Sequence, residues 1–148
     1  MRSAIGLAAV LAIGLALSAP LRATAAETAP AENAGGRYLN QVMATSEPHK
    51  KTLVALMRGR RGLPEWMRSI VTSAQYVTGA SRIVTLPEGT FELFGACNPR
   101  DCPNSHVRIL FNLDGTTAWV RLEDPKFGEQ LLGLPSAGQM QVLRAPGI

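Results

Sequence analysis

The chain is poor in the residues that usually announce a function. It has only two cysteines, two histidines and two tryptophans in 148 residues. Aromatic residues make up 5% of it, too few for a platform on which bases of a nucleic acid could stack. No block of Lys or Arg is long enough to form a phosphate-binding surface. The densest cluster, Arg58, Arg60 and Arg61, reads as a solvated helix end, where cations complement the helix dipole. A nucleic-acid partner is therefore not expected. Beyond residue 26 no apolar run approaches the roughly 20 residues of a membrane-spanning helix, so no stable membrane insertion is expected either.

Catalytic and metal-binding patterns are equally thin. Ser69, Ser73, Ser81 and Ser105 show no nucleophile elbow and no recognisable base beside them. The acids Glu123 and Asp124 read as the solvated end of a strand. Cys97, Cys102 and His106, with His49 as a distant fourth, are the one conceivable zinc set, but no second close-spaced ligand pair exists. The cysteines are separated by four residues and so do not make the C-x-x-C redox motif. The expectation is a protein that is not an enzyme, with no cofactor and no metal.

What is present starts at the N-terminus. Arg2 precedes an uncharged apolar run from Ala4 to about Ala19, followed by the small residues Ala23, Thr24, Ala25 and Ala26. Charge, apolar run and A-x-A spacing, in that order, form a cleavable secretory signal over residues 1–26. Removing it takes away Arg2 and Arg22 and no acid. Thirteen basic residues then face eleven acidic ones, for a net charge of +2. Residues 27–36 (ETAPAENAGG) are too small and polar to bury apolar surface and read as a disordered leader. Residues 37–148 remain as a single domain, about the size that supports one hydrophobic core.

Within that domain, a short helix is expected over 37–45, with Tyr38, Leu39, Val42 and Met43 on one face. Ser46 reads as the N-cap of a second helix with Pro48 in its first turn. Leu53, Leu56 and Met57 form its buried stripe, and Gly59 and Gly62 end it. Residues 63–67 read as a tight helical turn, with Trp66 packing. The pattern then becomes extended. Residues 82–86, 90–97, 106–111 and 117–122 alternate or are β-rich, with turns at Pro87-Glu88-Gly89 and Asp114-Gly115. These make a four-stranded antiparallel meander with Trp119 in the core. Helical pattern returns over 127–132 and 137–143. The fold class is α+β: an antiparallel β-sheet meander with helices packed on one face.

In an exported chain, an even cysteine count points to a disulfide, and two cysteines allow one pairing, Cys97–Cys102. The bridge closes Cys97-Asn98-Pro99-Arg100-Asp101-Cys102, a connection between two strands whose tip is stiffened by Pro99. A rigid loop loses little ordering entropy on association and so binds well. A stapled strand connection without a partner fits the spacing equally.

Phe94 to Cys102 resembles the signature of the Ivy family, the periplasmic inhibitors of vertebrate (c-type) lysozyme, which carry C-x-P-H-D-C after a strand. Gly62-Leu63-Pro64-Glu65-Trp66-Met67 is similar to the family's L-P-x-W-V segment, and Val107 to Phe111 to the strand after its loop. The likeness covers roughly residues 38–145. It implies an antiparallel sheet with helices on one side and a periplasmic protein; the sequence leaves open whether it is a monomer or homodimer. Its disulfide-closed loop would enter the cleft of a lysozyme or another peptidoglycan-cleaving glycosidase, with Asn98, Pro99, Arg100 and Asp101 as the inhibitory residues. The chain departs from the family at the tip, where Arg100 stands in place of the loop His. His106 is no substitute, because it lies beyond Cys102 in the next strand. That departure leaves open a same-fold envelope binding protein with a different partner: another muramidase, a lytic transglycosylase or an envelope protein.

The short disulfide ring contributes only about 2 kcal/mol by the chain-entropy model. Mild reduction should therefore leave the far-ultraviolet circular dichroism of the domain unchanged while loosening the loop. Global unfolding on reduction would contradict this.

Overall fold

The computed structural model describes residues 36–147. The expected signal peptide (1–26) lies outside the described residues, as does the leader except for Gly36.

The N-terminal third is helical. Helix α1 (Leu39–Thr45) buries Leu39, Val42 and Met43, as the spacing predicts, but begins after Tyr38. Tyr38 is exposed and forms an isolated bridge with Ala80. Helix α2 (Glu47–Met57) starts at the N-cap Ser46 with Pro48 in its first turn. The Ser46 hydroxyl does not cap the helix backbone. It meets Nδ1 of the buried His49 at 2.7 Å. Gly59 and Gly62, at φ 71° and 82°, turn the chain where glycine alone is unstrained. Helix α3 (Glu65–Arg68) is a single turn capped by Pro64 and tied back by Arg68 Nε donating to the Leu63 carbonyl at 3.0 Å.

The rest is one antiparallel six-stranded sheet: β1 (Val77–Thr78), β2 (Arg82–Leu86), β3 (Gly89–Cys97), β4 (His106–Asn112), β5 (Ala118–Asp124) and β6 (Gly128–Leu132). Strands β1 and β2 both pair with one edge of β3, and β4, β5 and β6 follow in order on the other side. The α+β class and the antiparallel meander are those expected, with two strands added. Residues 127–132 correct the helical expectation: Phe127, Leu131 and Leu132 have helical spacing, yet 128–132 form β6. Gly128 and Gly133, at φ 67° and 81°, bracket the segment as turns, and the open edge of β5 supplies its backbone partners. Strand β1 is too short to carry a periodic signal; its pairing with Ala96 and Cys97 defines it.

Alternation along β3 divides the core. Phe94 and Ala96, with Val107, Ile109, Phe111, Val120 and Leu122, pack under α1–α3. Phe91 and Leu93 face the other way, with Leu110 and Leu143 of α4 (Ala137–Arg144). The one-face packing expected of the helices holds for α1–α3; α4 covers the opposite face. Trp119 lies there, half-buried, its ring edge-on to Phe91 at 5.6 Å. The physical reason for the two-sided cover is that Leu93 and Leu110 are as apolar as Phe94 and Ile109, and a strand buried on both faces needs cover on both.

Two polar groups sit inside the first layer. Glu92 is buried and receives Arg37 and the Ser81 hydroxyl, the latter at 2.7 Å, which fastens the entry to α1 onto β3. His49 packs on Phe111 at 4.8 Å between ring centroids. Gly115, at φ 74°, lies so close that a Cβ there would stand 2.1 Å from His49 Nδ1. The turn expected at Asp114-Gly115 thus owes its glycine to the histidine as well as to backbone conformation.

Burial, and then the positive charge of Arg37, lower the His49 pKa from 6.5. The native state therefore binds fewer protons than the unfolded state, and stability is complete above pH 6.5 and falls as pH drops toward the lowered native value. Urea denaturation of the wild type between pH 7.5 and 5 should show this loss, and His49→Gln should flatten it. An equally steep profile in the variant would remove His49 as the cause. The carboxylates held below their usual range by hydrogen bonds, Glu88 through Ser136, Asp114 through Thr116 and Glu129 through Arg121, lose their contribution at lower pH than this window.

Candidate functional site

Strand β3 ends at Cys97, which is fully buried and already paired with Val77 of β1 and His106 of β4. The Cys97–Cys102 disulfide is present, with Cα atoms 4.9 Å apart. Between the cysteines the chain makes a hydrogen-bonded turn: the Asp101 amide donates to the Asn98 carbonyl at 3.0 Å, and the Arg100 amide to Asn98 Oδ1 at 3.1 Å. Asn98 supports such a turn because its side-chain amide imitates a backbone carbonyl.

A second turn follows directly. The Asp101 carbonyl accepts from the Ser105 amide at 2.8 Å, Asp101 Oδ1 accepts from Asn104 Nδ2 at 2.8 Å, and the Asn98 amide returns to the Ser105 carbonyl at 2.9 Å. Asn98 and Asp101 therefore turn their side chains onto the loop itself. Pro99 and Arg100 are left exposed at the tip. Among the described residues, no side-chain hydrogen bond or ion pair engages the Arg100 guanidinium.

The base of the loop is braced by a chain of polar contacts that the sequence reading did not assemble. Trp66 Nε1 donates to Ser105 Oγ at 2.9 Å, and Ser105 Oγ donates to Asp124 Oδ2 at 2.7 Å. Asp124 Oδ1 in turn accepts from the Lys126 and Phe127 amides at 3.0 and 3.3 Å. One line thus joins α3, the start of β4 and the β5–β6 turn. Ser105 is 1% exposed, and a buried hydroxyl needs partners on both its donor and acceptor sides, which Asp124 and Trp66 supply. Trp66 does pack, as expected, but its indole N–H also sets the loop's height above α3. The pair Glu123-Asp124 is no solvated strand end: Asp124 belongs to this brace, and Glu123 pairs with His106 at 2.8 Å and with Arg121. The signal for the brace was the Trp66 indole, which, when buried, seeks an acceptor. Its partner lies 39 residues away and becomes visible only once β4 is placed.

Two grooves flank the loop. One, of about 740 Å³, runs between α3 and the tip, lined by Trp66, Ser69, Ser73, Gln75, Pro99 and Arg100. The other, of about 650 Å³, lies on the far side, where Asn98 and Asp101 face Arg68, Asp124 and Phe127. Pro64 and Glu65 border both. The tip is therefore a ridge with a depression on each side, a shape suited to entering a cleft.

The remaining candidates of the sequence do not converge on this place. Both cysteine sulfurs are consumed by the bridge, His106 is held by Glu123 on the neighbouring strand, and His49 sits in the core. Among the described residues, no group of three or more His, Cys, Asp and Glu is arranged to hold a metal, and no helix is long and apolar enough to cross a membrane. No protein-family model matches the chain, and comparison with curated proteins finds no significant match.

Trp66→Phe keeps the ring and removes the donor. It should leave the domain folded, cost about 1 kcal/mol in denaturant titration, and raise amide exchange at Asn98 and Asp101 above that of the β3–β4 ladder. Unchanged exchange at those two amides would show that the disulfide alone holds the loop.

Proposed function

We propose that the chain is an exported, periplasmic inhibitor of a lysozyme, which blocks the enzyme by placing the Cys97–Cys102 loop in its active-site cleft. The observation that carries this reading is the state of Arg100: a cation at the tip of a loop fixed by disulfide, turns and the Trp66–Ser105–Asp124 line, with its guanidinium engaged by nothing in the described chain. The resemblance of the loop and of the Leu63–Trp66 segment to Ivy inhibitors supports the same conclusion.

The chemistry is that of the target. A lysozyme cleaves with two carboxyl groups, one protonated as the acid and one ionised. A rigid ridge that fills the sugar site and donates hydrogen bonds to both groups stops turnover. Arg100 presents a planar fork that can hold a carboxylate through two parallel bonds, and a guanidinium as a group does not titrate near neutrality as an imidazole does. Inhibition through Arg100 is then less sensitive to pH than inhibition through a histidine, which loses its charge near neutrality. The loop cannot supply the whole interface, since stable complexes bury about 1,200–2,000 Å² in total. The rims of the two grooves, including Glu65, Ser69 and Gln75, are the surfaces adjacent to it.

A second reading has its own support. Arg100 is longer than the histidine it replaces in the family pattern, and a misplaced buried cation costs several kcal/mol. A cleft shaped for the shorter ring would reject it, and the same ridge would serve another peptidoglycan-cleaving enzyme.

The test is a titration of the oxidised domain, free of residues 1–26, into c-type lysozyme acting on peptidoglycan, with Arg100→Ala in parallel. Stoichiometric inhibition, weakened at least about 100-fold by the substitution, is the expected result. Absence of inhibition by a folded, oxidised protein would exclude that target. A repeat against a lytic transglycosylase would then decide the second reading.

A further inference from the structure

The sheet face under α4 holds an arginine in the opposite situation to Arg100. Arg108, in the middle of β4, is 2% exposed. Its Nη1 donates to the carbonyl of Gly147, in the segment that follows α4. Its Nε and Nη2 are buried and have no hydrogen-bond partner. These two donors are a matched pair. The N–H of Nε and one N–H of Nη2 lie parallel on the same edge of the guanidinium plane, the fork that grips two oxygens of a carboxylate or phosphate.

Two further arginines lie near Arg108 on this face. Arg121 stands directly opposite on β5, and on the other side the cross-strand neighbour is Gly95, which has no side chain. Arg82 approaches from β2, opposite Leu93 in the adjacent row of the sheet. Burial, then repulsion from Arg82 and Arg121, lowers the Arg108 pKa to about 10. Arg121 has carboxylates of its own, Glu123 and Glu129. No acid of the described chain is paired with Arg108. A desolvated cation with an open fork is costly in the free protein, and a bound anion removes that cost.

We propose that Arg108 anchors an oxyanion site, gripping a carboxylate or phosphate group on its Nε–Nη2 edge beneath residues 145–147. The segment after α4 is fastened to the same guanidinium by the Gly147 carbonyl, through Nη1. The site does not depend on the lysozyme reading, since it uses no residue of the loop.

Isothermal titration of the folded protein with inorganic phosphate, and separately with acetate, at constant ionic strength in chloride tests it. The wild type should bind at least one of the two saturably at one site per chain, with a rise in thermal midpoint. Arg108→Lys, which keeps the charge and loses the fork, should weaken binding at least about tenfold, and Arg108→Met should abolish it. Preference for phosphate identifies a phosphoryl ligand, and comparable or better binding of acetate identifies a carboxylate. The proposal is overturned if neither anion binds saturably to the wild type, or if Arg108→Lys binds as the wild type does. Should Arg108→Met fail to fold, the lysine variant decides alone.

Discussion

Everything at the candidate site rests on the burial of β3. From Phe91 to Cys97 every residue of this strand is buried, and both of its edges are paired, one with β1 and β2 and the other with β4. Apolar side chains leave it in both directions, Phe94 and Ala96 into one layer of the core, Phe91 and Leu93 into the other. A strand held in this way has almost no freedom to slide, because a shift of one residue would exchange the two apolar sets and break the pairing on both sides. Cys97 is its last residue. The position of the disulfide, and of the tip beyond it, is therefore set by the whole sheet rather than by the loop's own short sequence.

The disulfide alone would fix the loop's ends and leave its tilt free. Tilt is set by what lies underneath. Asn98 and Asp101 close successive turns on their own backbone, and the line from Trp66 through Ser105 to Asp124 ties the start of β4 to α3 on one side and to the β5–β6 turn on the other. Each member has its partner, and a fully satisfied polar network rigidifies its surroundings where a half-satisfied one would weaken them. The division of labour follows: polar residues of the loop and its base are spent on internal bonds, and Arg100 is the one left over. Preorganisation of that kind lowers the entropy lost on docking, which is the main thing a small contact element can contribute to affinity.

Much of this was legible from the sequence because the controlling signals were local. Alternation in 90–97 and 106–111, the turn residues at 87–89 and at Asp114-Gly115, Ser46 before Pro48, and the helical pattern over 137–143 depend on neighbours within a few positions. The failures share a cause as well. Residues 127–132 carry a spacing compatible with a helix, and what decides for β6 is the unpaired edge of β5, which is not a property of the segment. Phe91, Leu93 and Leu110 mark a second apolar face, but which segment covers it is not a property of the strands. For the site, the loop and its exposed tip were readable from Cys97, Pro99 and Cys102. The brace was not, because Trp66, Ser105 and Asp124 come from three parts of the chain and none has a distinctive context alone.

The two arginines show how placement decides what one side chain does. Arg100 stands in water, where an unpaired guanidinium costs nothing, and pays for desolvation only when a partner buries it; the partner must then supply a carboxylate, or the complex is lost. Under the proposed function, this would make the tip a selector for acidic clefts rather than a general adhesive. Arg108 has already been desolvated by folding, and its Nε and Nη2 stay without a partner. The first arrangement leaves the cost of desolvation to the moment of contact, and the second has met it on folding. Exchanging the two environments would reverse the roles, because the chemistry of the group is the same in both and the sheet decides only how much water it keeps.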